Sequence, residues 1–96
     1  MGIPNNEIWY TTINGKVATN FDKYAFDSNL VSNTYANNQG VLTFAKDVTI
    51  IGESAFALCE ELENVILPNS ITKIETGAFS ACENLLEITI PNKVAS

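Results

Sequence analysis

Apolar and polar residues alternate along this chain at two scales. Locally, Val41-Leu42-Thr43-Phe44, Asn64-Val65-Ile66-Leu67 and Glu87-Ile88-Thr89-Ile90 place apolar residues two apart, the period of a strand with one buried face. Leu42/Phe44, Val65/Leu67 and Ile88/Ile90 are the expected inward pairs. At longer range the three segments begin 23 residues apart. The same offset joins Ile51-Gly52-Glu53-Ser54-Ala55-Phe56 to Ile74-Glu75-Thr76-Gly77-Ala78-Phe79, Cys59 to Cys82, Leu62 to Leu85, Pro68 to Pro91 and Val48 to Ile71. A period of this length predicts a stacked solenoid, because one unit cannot bury its apolar face without a neighbour.

One strand per coil is expected to stack in parallel, ~4.8 Å from the next. That predicts parallel strands at 41–44, 64–67 and 87–90. Pro68 and Pro91 follow their strands at once and lack the N–H a ladder would use. Val48/Ile51 and Ile71/Ile74 predict a second short extended segment on the opposite wall. A single helical turn is expected at 53–59 and again at 76–82, where Phe and Cys stand three apart and would face the same way.

The first part of the chain departs from the period. Glu7-Ile8-Trp9-Tyr10-Thr11-Thr12 favours a strand, Asn14-Gly15 is a strong two-residue turn signal, and Lys16-Val17-Ala18-Thr19 reads as the returning arm. This hairpin is expected to cap the open core of the first coil. Trp9 and Tyr10 read as cap core, with a carbohydrate platform as the other reading. Tyr24-Ala25-Phe26 echoes Ser54-Ala55-Phe56 and marks a degenerate first coil. The Asn-rich stretch 29–40 is expected to be an inserted surface loop or irregular strand. The expected organisation is therefore a cap and degenerate coil over 1–40, and regular repeats over 41–96. The chain stops where another coil would begin, so it reads more readily as an excised piece of a longer repeat protein than as a complete short one.

Charge narrows the partners. The 96 residues carry a formal net charge of −6. All of the excess lies in residues 51–90, which hold seven Glu and one Lys, while the remainder holds four acids and four Lys. There is no Arg and no His. Such a chain is a poor match for nucleic acid, lacking both positive charge and the bidentate guanidinium fork. Anionic membrane surfaces are disfavoured on the same ground. No run approaches the ~20 apolar residues of a spanning helix, so no membrane insertion is expected. Residues 1–15 contain no secretory signal.

No catalytic constellation emerges, and the chain is expected not to be an enzyme. Without His, a Ser or Cys nucleophile lacks its commonest base. Glu60, Glu61 and Glu63 fall in a polar corner and read as a solvated face, ahead of a weak divalent-ion contact or acid–base pair. Asp22 and Asp27 match no calcium-loop spacing. Cys59 and Cys82 read as a ladder of small buried side chains, ahead of a disulfide or half a metal site. No cofactor and no metal are expected.

The two copies, from Ile51 through Cys59, Leu62, Val65, Leu67-Pro68-Asn69-Ser70 to Ile74, and from Ile74 through Gly77-Ala78-Phe79, Cys82, Leu85, Ile88 to Ile90-Pro91-Asn92, resemble the BspA-like (Treponema pallidum type) leucine-rich repeat. The opening Ile8-Trp9-Tyr10-Thr11-Thr12 with Asn14-Gly15-Lys16-Val17 is similar to the cap such proteins carry. The resemblance implies an α/β leucine-rich-repeat solenoid: short parallel strands on a concave face, one-turn helical or 3-10 connections, and an N-terminal β-hairpin cap. It also implies a bacterial cell-surface or secreted protein engaged in adhesion, binding a protein or glycan on a host or neighbouring cell.

Outward positions of the strands are the candidate binding face. At the 23-residue offset, Thr43, Ile66 and Thr89 should form one row, and Val41, Asn64 and Glu87 a second beside it. Ile66 is the expected centre of contact, and the acidic flank should favour a basic partner. The rival role is a structural spacer or self-association unit, using the open C-terminal end at Ile88 and Ile90.

Overall fold

The computed structural model describes residues 2–92 and 94. Its strands are β1 (Glu7–Thr12), β2 (Leu30–Ala36), β3 (Gln39–Phe44), β4 (Ile50–Ile51), β5 (Leu62–Ile66), β6 (Lys73–Ile74) and β7 (Glu87–Thr89). Five strands form one sheet in the order β2-β3-β1-β5-β7, and β4 and β6 form a small parallel sheet opposite. The period-two patterns become strands as expected. Ile8, Tyr10 and Thr12 of β1, Leu42 and Phe44 of β3, and Leu62 and Val65 of β5 are buried beneath the sheet. The second wall also forms where expected, with Ile50 opposite Lys73 and Ile51 opposite Ile74.

Strand pairing differs from the expectation of three adjacent parallel strands. β5 and β7 do pair in parallel, with Asn64 opposite Glu87, Val65 opposite Ile88 and Ile66 opposite Thr89. β3, however, does not touch β5. β1 runs between them, antiparallel to both, with Trp9 opposite Val41 on one side and Ile66 on the other. β3 and β5 therefore point the same way but stand two strand spacings apart, ~10 Å. A strand inserted here satisfies backbone groups along both of its edges and adds Ile8 and Tyr10 to the core.

The expected hairpin cap is not made. Gly15 takes positive φ (70°), but its neighbour Asn14 does not, whereas the two-residue hairpin turn of type I′ needs positive φ at both central residues. The 16–19 arm forms no strand. The Lys16 N–H instead donates to the Thr12 hydroxyl (3.1 Å), and the Ala18 N–H to the Tyr10 hydroxyl (3.0 Å). The two-residue I′ signature occurs later, at Asn37 (φ 52°) and Asn38 (φ 61°), which join β2 to β3. Of the two readings for 29–40, surface loop or irregular strand, the structure shows the strand: most of the stretch is a hairpin arm, paired along its length and bulged near Val31.

No helix occurs among the described residues. The expected helical turns at 53–59 and 76–82 are chains of tight turns. Ser54 (φ 57°) and Leu58 (φ 64°) lie in the left-handed region, as do their counterparts Gly77 (φ 71°) and Ala81 (φ 58°) 23 residues on. Helical hydrogen bonding gives way to bonding between coils. The N–H groups of Ser54, Phe56 and Leu58 donate to the carbonyls of Thr76, Ala78 and Ser80, at 3.3, 2.7 and 2.8 Å. This ladder replaces the i→i−4 bonds a helix would make.

Two glycines that do not align in the repeats have separate reasons. Gly77 serves positive φ; Gly52 does not. A methyl on Gly52 would lie 2.5 Å from the Ala25 carbonyl oxygen, which accepts the Gly52 N–H at 2.6 Å. Left-handed backbone costs a non-glycine residue roughly 1–2 kcal/mol. Gly77→Ala should therefore lower stability by about 1 kcal/mol, and Ser54→Gly should raise it by about 0.5 kcal/mol after the entropy of the unfolded glycine is set against it. Urea titrations of the two variants check both signs.

The aromatic residues run through the coils as a column. Phe26 lies 5.0 Å from Phe44 and 5.7 Å from Phe56, Phe21 packs on Phe56 at 5.7 Å, and Phe56 stacks on Phe79 at 5.2 Å with rings 11° apart. Phe56 is fully buried; Phe79, Cys82, Leu85 and Ile88 are only partly covered. Ile90, expected to point inward, is 51% exposed. The last rung has a neighbour on one side only among the described residues. Residues 93, 95 and 96 of the expected repeat region lie outside them.

Candidate functional site

The outward face of the five-stranded sheet carries the candidate residues, but not in the expected rows. The insertion of β1 shifts β3 by two residues against the 23-residue offset. Val41, not Thr43, is level with Ile66, and the row reads Thr34, Val41, Trp9, Ile66, Thr89. Thr43 instead lies opposite Glu7. In the neighbouring row Thr11 stands beside Asn64, which stands beside Glu87, so the expected contact between Val41 and Asn64 is absent. Asn64, Ile66, Glu87 and Thr89 are together. Val41 and Thr43 are held apart from them by β1.

Three residues not among the expected set join the face. Trp9 sits at its centre, half-buried, with its indole Nε1 donating to Glu7 Oε1 at 2.8 Å. Thr11 donates to Glu63 Oε1 (3.2 Å) and accepts from Asn64 Nδ2 (3.0 Å). The Gln39 side chain donates to the Tyr10 carbonyl at 3.0 Å. The alternation Ile8-Trp9-Tyr10-Thr11-Thr12 held the signal for two of them. If Tyr10 is core, Trp9 and Thr11 must point the other way. Tyr10 is core as expected, bonded through its hydroxyl to Asn33 Oδ1 at 2.5 Å, but Trp9, also expected in the core, is not, because alternation along β1 turns it to the outward face.

A hollow of about 240 Å³ opens on this face, lined by Thr11, Gln39, Asn64, Ile66, Glu87 and Thr89, with Tyr10 and Val65 beneath. It is flanked by carboxylates, and no lysine among the described residues lines it.

The remaining candidates have structural roles. Asp27 accepts from the Thr49 hydroxyl and from the N–H groups of Thr49 (2.9 Å) and Ile50 (3.1 Å), anchoring the first coil to the second. Burial raises the pKa of its carboxyl, but those three hydrogen bonds outweigh burial and hold it below the usual value. Glu61 is also pushed up by burial and brought net downward, chiefly by the Thr19 N–H at 3.0 Å. Among the described residues no three His, Cys, Asp or Glu side chains are grouped to hold a metal ion.

Cys59 is fully buried and Cys82 partly so, both as free thiols. Burial, with the Glu61 carboxylate adding to it, pushes the Cys59 thiol up to about 12. Burial also raises Cys82, whose Sγ donates to the Phe56 carbonyl. A thiol kept protonated is a poor nucleophile. Alkylation of native protein should therefore be slow at both sites, and slower at Cys59. Because the folded pKa exceeds the unfolded value of about 9, the contribution of Cys59 to stability is complete below pH 9 and declines between about pH 9 and 12. Melting temperatures across that range, set against those of Cys59→Ala, check the sign.

A family model, the BspA type Leucine rich repeat region (6 copies), matches residues 19–96. No curated protein and no solved structure matches the chain. No helix among the described residues is long and apolar enough to cross a membrane.

Proposed function

The chain belongs to the BspA-type leucine-rich-repeat family, and from that premise we propose that it is a non-catalytic module that binds a macromolecule through the outward face of its five-stranded sheet. Family membership favours protein interaction over catalysis. One observation supports the choice of face: Trp9 lies between Val41 and Ile66 at the middle of a row that ends in Thr34 and Thr89, with Thr11, Asn64 and Glu87 in the next row. A large aromatic side chain on a rigid strand can bury area at little entropic cost, and polar neighbours set orientation. In this reading the parent is a bacterial surface or secreted solenoid protein, and the partner a protein or glycan on another cell.

Trp9→Ala and Ile66→Glu test the reading, provided circular dichroism shows each variant folded. Labelled wild-type chain should bind intact bacterial or mammalian cells, and each variant should lose roughly tenfold or more in affinity, the scale of a central anchor residue. Equal binding by wild type and both variants rules out the face.

The rival reading, self-association as a spacer unit, draws on the edge of β7 that pairs with no strand among the described residues, and on exposed Leu86 (77%) and Ile90. Sedimentation velocity separates the two: concentration-dependent association lost in Ile90→Lys favours the spacer.

A further inference from the structure

We propose that the hollow beside β7 receives the cationic side chain, lysine or arginine, of a basic partner protein. This rests on the binding-module reading and adds the ligand's chemistry to it.

The Gln39 amide nitrogen donates to the carbonyls of Tyr10 (3.0 Å) and Gly40 (3.2 Å), which uses both of its hydrogens and leaves Oε1 free. The Thr11 hydroxyl spends its proton on Glu63 Oε1 and accepts from Asn64 Nδ2. One of the two Asn64 amide hydrogens is thereby committed. Asn64 Oδ1, the Glu87 carboxylate and the Thr89 hydroxyl make no hydrogen bond among the described residues. The free groups around the hollow are thus predominantly oxygen acceptors.

Charge points the same way. Glu87 lines the hollow, Glu63 stands one hydrogen bond behind Thr11, and among the described residues no lysine lines it. An anionic ligand would meet like charge and too few donors. A sugar hydroxyl needs donors as well as acceptors. An ammonium group brings three donors and a guanidinium five, with no acceptor to satisfy. Ile66 offers an apolar wall for the methylene stem, which long cationic side chains bury while the head is hydrogen-bonded. The volume, about 240 Å³, is below the roughly 300–1,000 Å³ of small-molecule sites. It suits one side-chain head better than a whole ligand.

The test titrates isotope-labelled chain with an acetylated, amidated pentapeptide alternating lysine and threonine, and with its glutamine-for-lysine counterpart. The lysine peptide should shift the backbone amides of Thr11, Gln39, Asn64, Glu87 and Thr89 saturably, and more weakly at about 150 mM salt than at low salt. Glu87→Gln should weaken binding about fivefold or more, whereas Glu53→Gln, which removes the same charge elsewhere in the repeats, should change it less than about twofold. Equal weakening by both variants would mean diffuse attraction to an acidic chain and overturns the proposal. So does equal binding of the glutamine peptide, or calcium chloride shifting these amides where the lysine peptide does not. Cell binding lost in Trp9→Ala with no peptide binding overturns the cation hollow and leaves the face. Peptide binding at the hollow with cell binding intact in Trp9→Ala supports the hollow and removes the wider face.

Discussion

Replacing Phe56 with alanine is expected to lower the unfolding free energy by about 3–5 kcal/mol, the usual cost of emptying a large aromatic site in a core. Phe56 is the node of the aromatic column. It touches Phe21 and Phe26 from the first coil, stacks on Phe79 of the next, and is fully buried. Its backbone N–H carries the shortest of the three bonds to the next coil, 2.7 Å to Ala78. The loss is large against the whole. A chain of 96 residues at about 0.05–0.15 kcal/mol per residue has only about 5–14 kcal/mol to lose. Phe79→Ala should cost less, because that ring is only partly covered. Urea unfolding of both variants, followed by tyrosine and tryptophan fluorescence, gives the ordering. A loss below about 1 kcal/mol at Phe56 would contradict the column.

The second large effect is expected from one methyl group. Gly52→Ala should cost about 3 kcal/mol, although alanine is otherwise the milder residue for backbone entropy. The added carbon would sit 2.5 Å from the Ala25 carbonyl oxygen. Backbone cannot swing aside as a side chain can. Relief requires moving the first coil away from the second, which stretches the 2.6 Å bond from Gly52 N–H to that oxygen and opens the contact between Phe26 and Phe56. Gly15→Ala is the matched comparison. Gly15 has positive φ but no atom within 4 Å of an added methyl, so only the backbone term applies, about 1 kcal/mol. Thermal melts of the two variants should differ accordingly. Equal losses would place the cost in backbone conformation and not in close approach of the coils.

Part of the candidate site could be read from spacing alone. Asn64, Ile66, Glu87 and Thr89 come together because β5 and β7 are consecutive copies, and a parallel pair in register preserves the 23-residue offset. The same rule places Val41 and Thr43 beside them, and it fails there because β3 and β5 are not neighbours. Trp9 and Thr11 enter the face through β1, and Gln39, at the start of β3, reaches it by bonding to the Tyr10 carbonyl. The positions of Trp9 and Thr11 follow from a pairing between strands more than 50 residues apart, as Thr11 with Asn64 shows. No spacing in the chain encodes that pairing.

The sequence by itself determined the repeat, the family, and the inward side chains at 41–44 and 64–67, since all three are periodic and a period is a local property of the chain. It also determined the small β4–β6 sheet, built from equivalent positions of adjacent copies. Only the tertiary structure decided the place of β1, the register of β3 and the loss of the helical turns. Asn14-Gly15 and Asn37-Asn38 look alike as turn signals, yet only the second closes a hairpin. There both residues reach positive φ and the arms pair, whereas after Gly15 the Lys16 and Ala18 N–H groups bond to Thr12 and Tyr10 side chains instead. Residues 53–59 hold a spacing compatible with a helix. The carbonyls of the next coil capture the N–H groups of Ser54, Phe56 and Leu58, and left-handed backbone at Ser54 and Leu58 accompanies that capture. In each case a hydrogen-bond partner distant in sequence outcompeted the local one, because an otherwise buried backbone group must be satisfied by whichever donor or acceptor the packed coils bring to it.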